Sequence, residues 1–354
     1  MIHSGGEPAV VTVGEAMVVL YPHDHAPLAT ADTFDSDVGG AELNVATTVA
    51  RLGVRSSWIS RLGADGFGDR ILATASRAGV DTSAVERDPS RPTGIYVKET
   101  TVGDAGARTR MHYYRRESAA SALAPEDLRA PEAVRLLRGA SAVHTTGITA
   151  ALSPTAAAAA AGLRGLLRPG ATFSVDLNYR PQLWRDRDAE PLRALIAQAD
   201  LLFTGRDEAE EFFGHGDPWR LLEEHPRLHT VVVKDDALRA SAYTRTGTET
   251  HVPCLRVDVV EPVGAGDAFA AGYLGALARG LDGVAPLRLG HALASLALIS
   301  RGDRPDTVPS PEECDRIAQV ADDEWARWIV APQGGGAAGA PPWLQERTGS
   351  AGPI

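Results

Sequence analysis

The chain has 354 residues, enough for one large or two modest domains whose core needs no metal or disulfide staples. Apolar residues make up 44% and charged residues 23%, a globular balance; the longest small-apolar run, 156–161, is too short for a membrane span, and no N-terminal apolar segment reads as a signal peptide. The formal charge of −11 disfavours nucleic acid and anionic membrane as partners, and the two cysteines, Cys254 and Cys314, exclude a disulfide framework and fit a reducing cytoplasm.

In chain order, 9–14 (AVVTVG) predicts a buried strand and 40–53 a helix ending at glycine. A strand over 57–62 and a helix over 69–79 follow. Residues 93–99 and 109–115 alternate on either side of a glycine-containing turn, which predicts a hairpin. From residue 125 the pattern becomes regular. Helices are expected over 128–139, 154–167, 190–199 and 208–213, and strands over 142–146, 173–177, 201–204 and 231–234. Such alternation predicts an α/β fold with a mainly parallel sheet flanked by helices. A strand-like stretch at 255–260, helices at 265–279 and 287–300, and one amphipathic helix over 310–329 complete a single domain spanning 9–329. Segments within 15–40 and 93–116 break the alternation and are placed as a small β-sheet on that domain. The Gly/Ala/Pro-rich segment 332–354 is expected to be disordered.

Two segments carry chemistry. In 260–273 (VEPVGAGDAFAAGY) a Gly-Ala-Gly turn opens into a helix with Asp267 in its first turn. A helix N-terminus presents unpaired N–H groups and a positive dipole end, and glycines let a phosphate approach that backbone. A carboxylate in the same turn can take a proton from an attacking hydroxyl. Taken alone, Gly264 and Gly266 would equally make a tight turn and Asp267 a helix cap. In 38–69, Gly39 and Gly40 precede a helix bearing Asn44, a pattern able to hold polyol hydroxyls. The ten histidines show no ligand-like spacing. Lysine occurs only at 98 and 234, read here as a composition bias toward arginine.

Together the two segments resemble the ribokinase-like (PfkB-type) carbohydrate kinases over about 9–329. Within that family, Gly14-Glu15, Tyr113-Tyr114-Arg115, 144–154 (HTTGITAALSP), 176–180 (DLNYR) and 301–303 resemble the 2-keto-3-deoxygluconate kinases. The resemblance implies a small β-sheet lid, through which such chains often pair into homo-oligomers. It implies ATP and Mg²⁺ as cofactors and leaves room for a monovalent cation. It makes Asp267 the catalytic base and Gly264, Ala265 and Gly266 the anion hole. It assigns Gly39, Gly40, Asn44 and Tyr96 to sugar hydroxyls and Asp303 to the sugar's far end. Tyr113 belongs to the acceptor side, with Arg115 and Arg180 offering planar forks to a sugar carboxylate. Asn178, Lys234 and Arg239 fall on the nucleotide side, with Glu208 organising Mg²⁺ through water.

Three positions depart from the family pattern, all on the nucleotide side. Glu261 stands for the usual Asp, Gly205 for Asn, and Lys234-Asp235-Asp236-Ala237-Leu238-Arg239 replaces Lys-x-Gly-x-x-Gly. Two carboxylates beside a polyphosphate repel it, and loss of glycine hinders a positive φ. Arg239 is expected to compensate by pairing with phosphate or with Asp235. Three functions remain open at this point. They are a kinase for 2-keto-3-deoxygluconate, a kinase of the same family for fructose, a nucleoside or a specialised-metabolite sugar, and a non-catalytic sugar-acid-binding protein with a degraded nucleotide site.

Overall fold

The computed structural model describes residues 9–24, 26–103, 106–185, 187–332 and 339–345. Its strands, in chain order, are β1 (Ala9–Val13), β2 (Met17–Pro22), β3 (Phe34–Gly39), β4 (Arg55–Gly63), β5 (Val85–Asp88), β6 (Ile95–Gly103) and β7 (Gly106–Tyr114). Then come β8 (Ala142–Thr146), β9 (Thr172–Asp176), β10 (Leu201–Gly205), β11 (Thr230–Asp235), β12 (Arg239–Thr244), β13 (Glu249–Pro253), β14 (Arg256–Val257) and β15 (Ile329–Val330). One nine-stranded sheet runs β13-β12-β11-β10-β9-β8-β1-β4-β5 and is parallel from β11 to β5. Helices cover both faces. Along β10, Leu201 and Phe203 enter one core and Leu202 the other; along β11, Val232 faces one way and Val231 and Val233 the other. This period-2 division explains why the strands read as unbroken apolar runs.

A separate four-stranded sheet, β3-β2-β6-β7, is built from the segments that broke the alternation. Its β6–β7 hairpin was expected. The antiparallel pair β12–β13 was not, because RASAYT and ETHVP mix small, polar and apolar residues without a clear period.

Other expectations need correction. The helix expected at 128–139 is two, Pro125–Arg129 and Pro131–Gly139, because Pro131 holds Ala130 in an extended conformation. The helix expected at 154–167 ends at Gly162 and continues as a 3₁₀ turn, Leu163–Leu166. The strand expected at 255–260 is limited to β14. The single helix expected at 310–329 is split into Pro311–Gln319 and Asp322–Trp325 by extended Val320 and Ala321, and then gives way to β15 beside β14. The disorder expected over 332–354 does not hold for 339–345; 333–338 and 346–354 lie outside the described residues. Residues 339–345 pack against the domain, with Ala340, Trp343 and Leu344 buried and Trp343 edge-on to Trp328. Burial of the indole together with Ala340 and Leu344 offsets the entropy of ordering this segment. No helix among the described residues is long and apolar enough to cross a membrane.

Trp343→Ala should lower unfolding stability by about 3 kcal/mol in urea titration, since it deletes a buried aromatic. An unchanged midpoint would show that 339–345 contributes nothing to the fold.

Candidate active site

Two helix N-termini meet at the centre of the site. The Ala265–Ala278 helix starts at Gly264, whose φ of 86° lies in the left-handed region. A Cβ at Gly264 would lie 2.6 Å from the Asp303 carbonyl carbon, so no side chain fits there. Residues 263–267 keep partial exposure while Ala268–Ala271 are buried, which leaves the first-turn amides open to a ligand. The Ala41–Arg51 helix starts at Gly40, and one turn in, Asn44 Nδ2 donates to Asp267 Oδ2 at 2.8 Å. Asn44 Oδ1 is buried without a hydrogen-bond partner among the described residues. Burial pushes the Asp267 carboxyl up to about 7; Asn44 opposes this, and the carboxylates of Asp176, Glu42 and Asp303 reinforce it. A carboxylate so raised is poised to take a proton near neutral pH.

On the acceptor side, Tyr96 OH donates to Asp303 Oδ2 and Lys98 Nζ to Asp303 Oδ1. Lys98 also reaches Glu261 Oε2 at 3.4 Å, and Glu261 Oε1 accepts from Val263 N at 3.2 Å. A Cβ at Gly39 would stand 2.7 Å from Asp303 Oδ2, so this glycine makes room for the cluster. The structure thus brings Gly39, Tyr96 and Asp303 together, while Asn44 is held by Asp267 at the start of the helix that Gly40 opens. Lys98 was missed.

The carboxylate forks are placed differently from one another. Arg115 is not a free fork: its Nη2 is paired with the buried carboxylate of Glu15, which also accepts from Ser118 Oγ at 3.1 Å. Its guanidinium also lies over the Tyr113 ring, 5.5 Å from the centroid. Tyr113 itself is half exposed on the edge strand β7 and 5.5 Å from the Tyr96 ring. Arg180 caps the Pro181–Trp184 helix, is exposed, and has no ion pair among the described residues.

On the opposite side, Lys234 Nζ donates to Asp176 Oδ2 at 2.9 Å and would lie 3.6 Å from a Cβ at Gly266, so its ammonium stands over the glycine turn. Burial opposes its charge, but Asp176 and Glu208 outweigh burial and raise its pKa. Glu208 is committed locally. Oε2 accepts from Gly205 N at 2.9 Å, capping its own helix, and Oε1 accepts from Tyr179 N at 2.5 Å. Asn178, at φ 38°, has its Oδ1 buried without a hydrogen-bond partner among the described residues. Asn178 N donates to Asp176 Oδ1 at 3.2 Å, so this free amide oxygen and the Asp176 carboxylate belong to one short segment whose oxygens suit Mg²⁺, which usually keeps waters and binds through a carboxylate or two plus phosphate.

The altered glycine loop is a tight turn between β11 and β12, closed by Leu238 N to Asp235 O at 2.9 Å. Asp236 keeps a positive φ of 44°, a conformation Asp tolerates better than most side chains. The expected Arg239–Asp235 pair is not formed. Arg239 faces Asp235 across the β11–β12 ladder, but the side-chain partner of Asp235 is Arg206, with Nε 3.2 Å from Oδ2. Arg206 neutralises one of the two carboxylates that were expected to repel polyphosphate.

The description "pfkB family carbohydrate kinase" matches residues 7–311, most of the chain, and the protein belongs to that family. The chain is 35% identical over 326 residues to a 2-dehydro-3-deoxygluconokinase of Thermoproteus tenax, covering 89% of this chain and 97% of that relative. It is 34% identical over 314 residues to a 2-dehydro-3-deoxygluconokinase of Bacillus subtilis, covering 86% and 93%. The crystal structure of a 2-dehydro-3-deoxygluconokinase from Thermotoga maritima superposes with a TM-score of 0.78 at 25% identity, covering 90% of this chain and all of that one. The protein is thus a sugar kinase, an ATP-dependent phosphotransferase of ribokinase-like fold.

Because Asp267 holds its proton more tightly in the fold than in the unfolded chain, the folded state binds the extra proton between about pH 4 and pH 7. Its stabilising contribution is complete at low pH and is lost as pH rises through about 7. The stability of Asp267→Asn relative to the parent should therefore grow between these limits and level off above, read from urea melts across pH. A gap that stays constant with pH would show that the carboxyl is not perturbed.

Proposed function

We propose that this kinase transfers the ATP γ-phosphoryl group to a hydroxyl of 2-keto-3-deoxygluconate, with Asp267 as general base. The observation that carries the reading is the placement of Asp267. It sits in the first turn of a helix entered through a glycine bend, holds a hydrogen bond from Asn44, and titrates near 7. Relatives that share about a third of their residues over nearly the whole chain bear the name of that acceptor's kinase.

In the proposed reaction Gly39, Gly40, Asn44 and Tyr96 hold sugar hydroxyls, and Asp303 orients the end that reacts. Asp267 takes the hydroxyl proton as that oxygen forms its bond to the γ-phosphorus. The bond from the γ-phosphorus to the β–γ bridging oxygen breaks, and ADP leaves. The amides at Gly264, Ala265 and Gly266 stabilise charge on the transferring group, and the helix N-terminus adds its dipole. Lys234 stands over the same turn as a point charge for phosphate. Asp176 and Asn178, with Glu208 behind them, would meet a Mg²⁺ that neutralises phosphate charge. Arg239 and Asp236 edge the nucleotide side.

Arg180 is the carboxylate reader in this proposal. It is the exposed, unpaired fork, whereas Arg115 is already neutralised by Glu15. The raised pKa of Glu15, which burial drives up against Arg115 and Ser118, shows how enclosed that pair is.

A coupled ADP-release assay over acidic and neutral sugars tests the function. Asp267→Asn should remain folded and lose on the order of 10²–10⁴ in kcat. The parent rate should fall as pH drops below about 7. Wild-type turnover by Asp267→Asn would sink the base assignment. Arg180→Ala should raise KM for 2-keto-3-deoxygluconate roughly 10-fold or more, the worth of a hydrogen bond to a charged group, and leave neutral sugars unaffected. Equal effects on acidic and neutral acceptors would mean that no carboxylate is read at Arg180. Release of ADP with fructose in preference to the acid would favour a kinase for another acceptor.

A further inference from the structure

We propose that Lys98 is a positioning residue that couples the small sheet to the shape of the anion-binding turn. This inference rests on the sugar-kinase site described above and adds a part that none of its assigned residues supplies.

Three segments converge on the Lys98 ammonium. Lys98 itself rises from β6 of the small sheet. Asp303 lies in the loop after the Ala285–Leu298 helix, and Glu261 precedes the glycine turn. All three side chains are nearly closed to solvent, at 5%, 6% and 10% exposure. A surface ion pair contributes little, but an enclosed one with all its partners satisfied fixes geometry, and losing one member leaves the others buried and uncompensated.

Both carboxylates have a second attachment that leads to the reacting region. Glu261 uses its other oxygen to accept from Val263 N, one residue before Gly264. Asp303 accepts from Tyr96 on its other oxygen, and its backbone packs where any side chain on Gly264 would sit. Moving the ammonium therefore moves the acceptor-side carboxylate and the start of the anion-binding turn together. The longer Glu at 261, where the family usually has Asp, provides the reach to Lys98. Composition points the same way: the chain carries two lysines against 33 arginines, and both lysines stand in this site, one on each side of the glycine turn. Three donors on a compact ammonium can serve both carboxylates at once.

The test compares the full-length parent with Lys98→Met, Lys98→Arg and Glu261→Gln by steady-state kinetics on the preferred acceptor and by amide hydrogen exchange without ligands. Coupling predicts that Lys98→Met lowers kcat on the order of 10- to 100-fold, the cost of misplacing reacting groups by about 1 Å, while both KM values move less than about threefold. It also predicts faster exchange at the amides of 264–268 as well as in the small sheet. Lys98→Arg should recover part of kcat, and Glu261→Gln should speed exchange at 264–268 in the same way. Faster exchange confined to the small sheet, or a kcat within about twofold of the parent per folded molecule, overturns the proposal. If Lys98→Met does not fold, Glu261→Gln carries the decision. Failure of the parent to release ADP with any sugar would count against the acceptor reading instead, and the exchange measurement would still decide the coupling.

Discussion

The hydrogen bond from Asn44 to Asp267 joins the N-terminal turns of two helices that lie 223 positions apart in the chain. Everything chemical in the site is arranged around that junction. Each helix is entered through a glycine that no other residue could replace without collision, so both backbones approach the same space. The positive ends of both helices therefore point to one place, where a carboxylate, an acceptor hydroxyl and a phosphoryl group must meet.

That junction is set in an unusually acidic surrounding. Asp176, Glu42 and Asp303 all push Asp267 toward its protonated form, and burial pushes it further. Glu42 is pinned within the fold, its Oε1 taking hydrogen bonds from Thr146 N, Thr146 Oγ1 and Thr149 Oγ1 at 2.7–2.9 Å. Its own pKa is raised by burial despite those bonds. Carboxyls crowded in this way give up their protons reluctantly, which suits a proposed base that must accept a proton near neutrality and release it after transfer. The two lysines, one on each side, offset part of this charge, and Asp267 is among the carboxylates that raise the Lys234 pKa.

The architecture was legible because its dominant signal is simple. Strands buried on two faces are largely apolar runs, and 9–14, 201–204 and 231–234 show this plainly. The edge of the sheet was not legible, since β12 and β13 carry small and polar residues among their apolar ones, even though β12 sends Ala240 and Ala242 into one core and Tyr243 into the other. Nor was the packed 339–345 segment, where composition pointed to disorder and one tryptophan decided otherwise. In the site, Asp267 and Asn44 were singled out from the glycines that precede them, and the structure joins the two by a hydrogen bond that neither motif announced. What escaped were partners distant in sequence: Lys98 for Asp303, Glu15 for Arg115, Arg206 for Asp235. Spacing along a chain shows which groups are available and says little about which charge each will find. The scarcity of lysine was the one available hint, and it was put down to composition.

The nucleotide side shows why departures from a motif need a structural account. Replacing glycine by Asp236 looked like the loss of a left-handed turn, yet the turn survives because an aspartate side chain tolerates that φ. Adding Asp235 looked like a new repulsive charge, yet Arg206 from the start of the neighbouring helix faces it at 3.2 Å. The remaining change is at Arg239, on the strand rather than in the turn, where a side chain costs no backbone strain. The replacements thus keep the backbone path, and one of the two carboxylates is paired with Arg206, which favours a working nucleotide site over a degraded one. The net difference is a turn that offers phosphate fewer bare amides and more side-chain charge, so its response to ionic strength should be steeper than that of a glycine loop.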